Sequence, residues 1–248
     1  MTPVQTLDLP ETEVHVWWAR TDPAPSGAAT QRLLAILDAN ERARYARFHF
    51  EKDRVLHLCA HALLRVLCSR YCGGAPESHR FLAGEHGRPY SEGTGFDFNL
   101  SHTRGLVACG FVRGGRVGVD VESIDRRSEW RQLIGRVMAP GEQARFGDAP
   151  EAFRPLFFEY WTVKEAIAKA WGTGLGTDFR GLEISIQGGT PQFVHGPSEL
   201  PRPVLLHLEA LDQHRLAVAA TATADSDRSR AVTVREFPLS WESMSLDW

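Results

Sequence analysis

Apolar and polar positions alternate with two periods along this 248-residue chain. Residues 14–18 (VHVWW) read as a first strand, and TDPAPSGAAT after it as a loop. Residues 30–37 suggest a short helix, and Asp38-Ala-Asn40 a cap for the next one. From 52 to 71 the chain is apolar on most of a helical circumference, which predicts a long helix central to a domain. Gly73-Gly74 ends it. Phe96, Phe98 and Leu100 then alternate with Asp97 and Asn99, the mark of a half-buried strand. Ser101-His-Thr-Arg-Gly105 reads as a turn, followed by strands at 106–112 and 117–122, giving an antiparallel meander. Segments 128–137 and 140–146 have helical patterns, with Pro140 suited to a first turn. Pro155 opens a helix that ends in the glycine-rich run up to Gly176. Strands are expected at 182–186, 204–208, 216–221 and 231–237, with the loop TADSDRSR between the last two. Strand, helix and hairpin thus occur twice, on either side of about Arg116. This order predicts an α+β fold of two similar halves, 1–115 and 116–248.

Composition narrows the class without choosing a function. Hydrophobic residues make up 43% and charged residues 24%, the balance of a soluble globular protein. A formal net charge of -3 gives no bulk attraction to nucleic acid or to an anionic membrane, so neither is an expected partner. No apolar run approaches the ~20 residues that span a bilayer. The stretch MTPVQTLDLPETEV lacks the basic-then-apolar order of a secretory signal, so a cytoplasmic location is expected, and the two similar halves in one chain suggest a monomer. Cys59, Cys68, Cys72 and Cys109 lie in apolar contexts and read as reduced core residues.

Candidate chemistry gathers in the middle of the chain. Asp120 and Glu122 are two apart on a predicted strand, so their carboxylates share one face within ~7 Å. Magnesium suits such a pair, since it takes oxygen ligands and substrate phosphates; an exposed acidic edge is the plainer reading. Trp161, Glu165 and Lys169 form one helical stripe that can serve as wall, ligand or base, and phosphate contact. The plainer reading there is a core tryptophan beside a surface ion pair. Lys164 and Lys169 would flank a diphosphate. Ser101, His102 and Arg88 offer further phosphate donors. Arg42, Arg44, Arg47, Lys52 and Arg54 form either a solvated face or a patch for a phosphorylated ligand. His57, His61, Cys68 and Cys72 share a helix face, but that face runs ~22 Å, too long for one zinc ion. Adjacent Ser101 and His102 do not suit a hydrolase triad, and no G-x-S-x-G elbow is present. The glycines from Gly172 to Gly176 follow a helix rather than a strand, so they make no dinucleotide fingerprint.

Three blocks, FNLSHT (98–103), VGVDVE (117–122) and FEYWTVKEAIAKAWGTGL (158–175), resemble in order and spacing the signature motifs of the Sfp-type 4'-phosphopantetheinyl transferases. The resemblance is sharp over 96–176. It is looser at Gly87-Arg88-Pro89 and in the basic run. It implies two pseudo-twofold α+β halves with the active site in the cleft between them. It also implies an enzyme that moves the phosphopantetheine arm of coenzyme A onto a serine of an apo acyl or peptidyl carrier protein, releasing 3',5'-adenosine diphosphate. By position, Asp120, Glu122 and Glu165 would hold Mg2+, and Lys169 would contact the coenzyme A phosphates. Ser101, His102 and Arg88 would bind the 3'-phosphate, and Lys164 would face the diphosphate. Arg47 and Arg54 would make further coenzyme A contacts. Glu165 doubles as general base, with Lys169 stabilising the leaving group. Thr103 and Arg88 stand where the family often has serine and lysine. A coenzyme A-binding module without transferase activity and a metal-dependent phosphoesterase are the rival readings.

Overall fold

Two sheets face each other across an apolar core, and a long helix covers the outer face of each. The computed structural model describes residues 6–84, 87–125, 129–147, 150–222, 230–237 and 241–242. The first part of the chain forms β1 (Glu13–Arg20), α1 (Gly27–Ile36), α2 (Ala39–Arg47), α3 (Glu51–Cys72), and the short β2 (Leu82–Ala83) and β3 (Pro89–Tyr90). Then come β4 (Asp97–Thr103), β5 (Leu106–Val112), β6 (Gly115–Ser123), α4 (Trp130–Val137), α5 (Pro140–Gln143) and α6 (Arg154–Trp171). The last elements are β7 (Glu183–Gln187), β8 (Thr190–His195), β9 (Leu205–Leu211), β10 (His214–Ala222) and β11 (Ala231–Glu236).

The strand orders are β11-β1-β5-β4 and β6-β10-β9. In each sheet a first strand precedes the long helix and pairs antiparallel with the second strand of the hairpin that follows it: β1 with β5, and β6 with β10. The repeated order expected from sequence is therefore a repeated topology. β11 pairs parallel with β1, so the chain returns to the first sheet after completing the second, across the expected division at 115/116.

Strand β5 shows how the layers are read out of sequence. It is buried throughout, with Val107, Cys109 and Phe111 against α3 and Leu106, Ala108 and Val112 between the sheets. The inter-sheet core adds Val14, Val16, Val117, Val119, Leu216 and Val218, while Ala217 and Ala219 face α6. A strand covered on both faces carries no polar alternation.

Several expectations are corrected. β6 does not extend a meander from β5 but begins the other sheet. β4 runs on through Ser101, His102 and Thr103, and only Arg104-Gly105 turns. Helix α5 stops at Gln143. Strand β8 was not expected, although Gly188-Gly189, both with positive φ, marks a hairpin turn before it. Cys72 is exposed, unlike the buried Cys59, Cys68 and Cys109. Ser128, residues 223–229 of the expected loop, and residues 1–5 lie outside the described residues. Among the described residues no helix is long and apolar enough to cross a membrane.

One glycine sets the distance between α6 and β6. A Cβ on Gly118 would stand 1.9 Å from Ala166 O and 2.4 Å from Ala170 N, within the helix backbone itself. Gly118 and Asp120 share a strand face, so this contact brings α6 over the acidic residues. Gly118→Ala is expected to lower stability in urea unfolding by roughly 3 kcal/mol. It should lower turnover as well, because α6 must move outward.

Candidate active site

The edges of the two sheets meet at β4 and β6, and side chains join them. Val117 N–H donates to Asp97 Oδ2 (2.8 Å) and Val119 N–H to Asn99 Oδ1 (2.9 Å). Val121 N–H donates to Ser101 Oγ (3.2 Å) and Ser123 N–H to Thr103 Oγ1 (3.3 Å). Alternate residues of β4 thus act as the acceptors that a paired strand would supply with carbonyls. The short polar residues at 97, 99, 101 and 103 are a bonding edge, not the solvent face of a half-buried strand.

Beyond this seam opens a cleft of about 490 Å³ lined by Ser101, His102, Asp120, Glu122, Trp161, Glu165 and Lys169, with Leu100, Thr103 and Val121. Two elements supply its charges: β6 places Asp120 and Glu122 on one face, and α6 carries Glu165 and Lys169 above them. Lys169 Nζ lies 2.6 Å from Asp120 Oδ1, 2.9 Å from Ser101 Oγ and 3.0 Å from Val119 O. Ser101 in turn donates to Asp120 Oδ1 at 3.0 Å. Its hydroxyl therefore serves Val121, Lys169 and Asp120 at once. Trp161 Nε1 donates to Glu122 Oε1 at 2.9 Å, and its ring stacks at 12° on Phe157.

The donor set fits a hard divalent cation. Asp120 is 5% exposed, and its Oδ2 has no hydrogen-bond partner among the described residues. A buried carboxylate oxygen left open in a cleft lined by two more carboxylates is a natural ligand for magnesium. Among the described residues no three of His, Cys, Asp and Glu form a ready-made metal cluster, so waters and ligand oxygens would complete the shell.

His102 sits exposed at the cleft. Its pKa is lowered, first by the protein packed around it and then by the charges of Lys169, His61 and Arg44, although solvent reaches the ring. Arg44 lies on α2 and His61 on α3. His61 Nδ1 bonds Glu41 Oε1 at 2.8 Å, and its ring lies 4.2 Å from that of His57. Arg44 and His61 were not singled out from the basic run and the helix face. Helical register points to them only once the position of β4 is known.

Three expected ligand contacts are placed elsewhere. Lys164 is fully buried; its Nζ lies 2.5 Å from Glu142 Oε2 and donates to Val137 O and Phe179 O, both at 2.9 Å. It clamps α5 to α6, away from any diphosphate. Arg88 lies behind the seam, bonded to Asp97 Oδ2 (2.6 Å), Val117 O (2.7 Å), Phe98 O (3.1 Å) and Lys169 O. Arg54 donates to Phe48 O at 3.1 Å, fixing the α2–α3 junction, and Arg47 is exposed at the end of α2.

The family model described as "4'-phosphopantetheinyl transferase superfamily" matches residues 116–221, and that described as "4'-phosphopantetheinyl transferase, N-terminal" matches 22–110. The chain is 33% identical over 191 residues to the 4'-phosphopantetheinyl transferase HetI of Nostoc sp., covering 75% of this chain and 79% of that one. It is 36% identical over 156 residues to AcpT of Salmonella typhi, covering 62% and 72%. Among solved structures, the holo-[acyl-carrier-protein] synthase of Neisseria meningitidis is 25% identical over 44% of this chain and 98% of its own, with a TM-score of 0.37.

Two outcomes follow from the buried charges. Lys164→Met leaves Glu142 buried and unpaired, so it should lower stability by about 3–5 kcal/mol in urea unfolding. Calorimetry should find coenzyme A affinity unchanged in the folded fraction. The second outcome concerns acid. Burial would raise the Glu41 pKa, but bonds from His61 and Arg65 hold it at about 2, and burial lowers His57 to about 4. The unfolded chain takes up the His57 proton first, near pH 6.5, so stability should fall as pH drops from there towards 4. The Glu41 contribution should be lost between about 4.5 and 2, and Glu41→Gln should remove that lower part of the titration.

Proposed function

The chain belongs to the 4'-phosphopantetheinyl transferase superfamily, and on that premise we propose that its cleft uses coenzyme A and magnesium to modify a serine of an apo carrier protein. Phosphopantetheinylation of carrier proteins is the activity of the family. The observation that supports these particular roles is the meeting of Asp120, Glu122, Glu165 and Lys169 on one cleft, with Asp120 Oδ2 left open.

Asp120 and Glu122, with Glu165 opposite them, would hold the magnesium ion. Bound there, it supplies Lewis-acid stabilisation of phosphate charge. Trp161 holds Glu122 in place from α6. Lys169 carries a fixed positive charge beside Asp120 and is suited to the charge that builds on the bridging oxygen of the leaving 3',5'-adenosine diphosphate. Glu165 is the general base that takes the proton of the attacking carrier serine. His102 would offer its ring N–H to the nucleotide phosphates, with the guanidinium of Arg44 supplying positive charge nearby. Their fixed placement makes electrostatic stabilisation the main contribution of the protein to the reaction.

Intact-mass analysis of an apo carrier domain incubated with this protein, coenzyme A and magnesium should show one added phosphopantetheine, lost with a chelator. Asp120→Ala should lower turnover roughly 100-fold or more while coenzyme A binding weakens less. Coenzyme A bound without transfer to several carrier types would establish a binding module instead. Coenzyme A cleaved without transfer would establish a phosphoesterase.

A further inference from the structure

Arg88 is bonded within the frame of the protein and not at the cleft. Its guanidinium sits where β4, β6 and α6 converge, with the side chain 10% exposed. Nη2 reaches the Asp97 carboxylate and the carbonyls of Phe98 on β4 and Val117 on β6. Nη1 donates to the carbonyl of Lys169, near the end of α6. Nε is buried without a partner among the described residues, and Arg88 does not line the cleft. One planar fork thus ties both sheet edges to the residue that carries the cleft's ammonium.

Asp97 completes the arrangement. The same Oδ2 that accepts from Arg88 also accepts from Val117 N–H. Asp97 and Arg88 therefore set the register at which β6 meets β4, and Arg88 extends that register to Lys169. Two residues along each strand lie Asn99 and Val119, the second of which offers its carbonyl to Lys169 Nζ. The backbone of Lys169 is held from one side and its side chain from the other.

We infer that Arg88 is a positioning residue for Lys169 and not a ligand of the nucleotide 3'-phosphate. A guanidinium can bridge several carbonyls in one plane, whereas an ammonium is a compact point charge. Lysine at this position could therefore reach one acceptor well but could not hold β4, β6 and α6 together. The inference rests on the transferase reading of the cleft.

Comparing coenzyme A with 3'-dephospho-coenzyme A as donors tests it, because only a phosphate ligand distinguishes them. In Arg88→Lys, kcat should fall about 10- to 100-fold with both donors by the same factor. The KM ratio of the two donors, and the coenzyme A affinity and stoichiometry by calorimetry, should stay at wild-type values. A merely structural role would lower the stoichiometry and leave kcat per bound site unchanged. If Arg88→Lys proves unstable, the pair Arg88→Gln with Asp97→Asn removes both buried charges together and should give the same donor-independent loss. A loss confined to coenzyme A, as a raised KM with the dephospho donor unaffected, would overturn the inference, as would full activity in Arg88→Lys. A wild-type protein that transfers from neither donor would refute the transferase reading itself.

Discussion

The cleft exists because the edges of two sheets are held in register without a backbone ladder between them. Four short side chains of β4 accept the amides of β6, and their spacing of two residues matches the pleat of both strands. Each acceptor is buried or half-buried, so losing one would strand an amide away from water. This constraint accounts for the run Asp97, Asn99, Ser101 and Thr103. Larger side chains would part the edges, and apolar ones would leave the amides unpaired.

Structure and chemistry share atoms at this seam. Ser101 Oγ belongs to the stitching and also fixes Asp120 and Lys169. Gly118 belongs to helix–sheet packing and also decides how near α6 stands to the acids. A rigid frame of this kind keeps charged groups oriented before any ligand arrives, which is where electrostatic catalysis gains most.

The ionic groups divide by burial. Arg65, wholly buried, bonds Glu41 at 2.7 Å and Asp38 at 2.9 Å, tying α3 to the capping box of α2. Lys164 and Glu142 do the same for α6 and α5. These closed pairs have their bonding capacity met within the protein. Lys169 is a quarter exposed, and its neighbour Asp120 keeps one oxygen open. That difference separates two lysines only five residues apart on one helix.

The sequence by itself determined most of the element order and the repeated strand–helix–hairpin, and it set Asp120 with Glu122 on one strand face and Glu165 with Lys169 on one helical stripe, because period, glycine placement and motif spacing are local properties. It also carried the family resemblance that the comparisons bear out. Only the tertiary structure decided that β6 leaves the first sheet, that β11 returns to it, and that Arg88 and Lys164 face inward. A charged residue reads alike in sequence whether it faces solvent, a ligand or a buried carbonyl. Burial and partner, set by contacts between residues far apart in the chain, choose among the three.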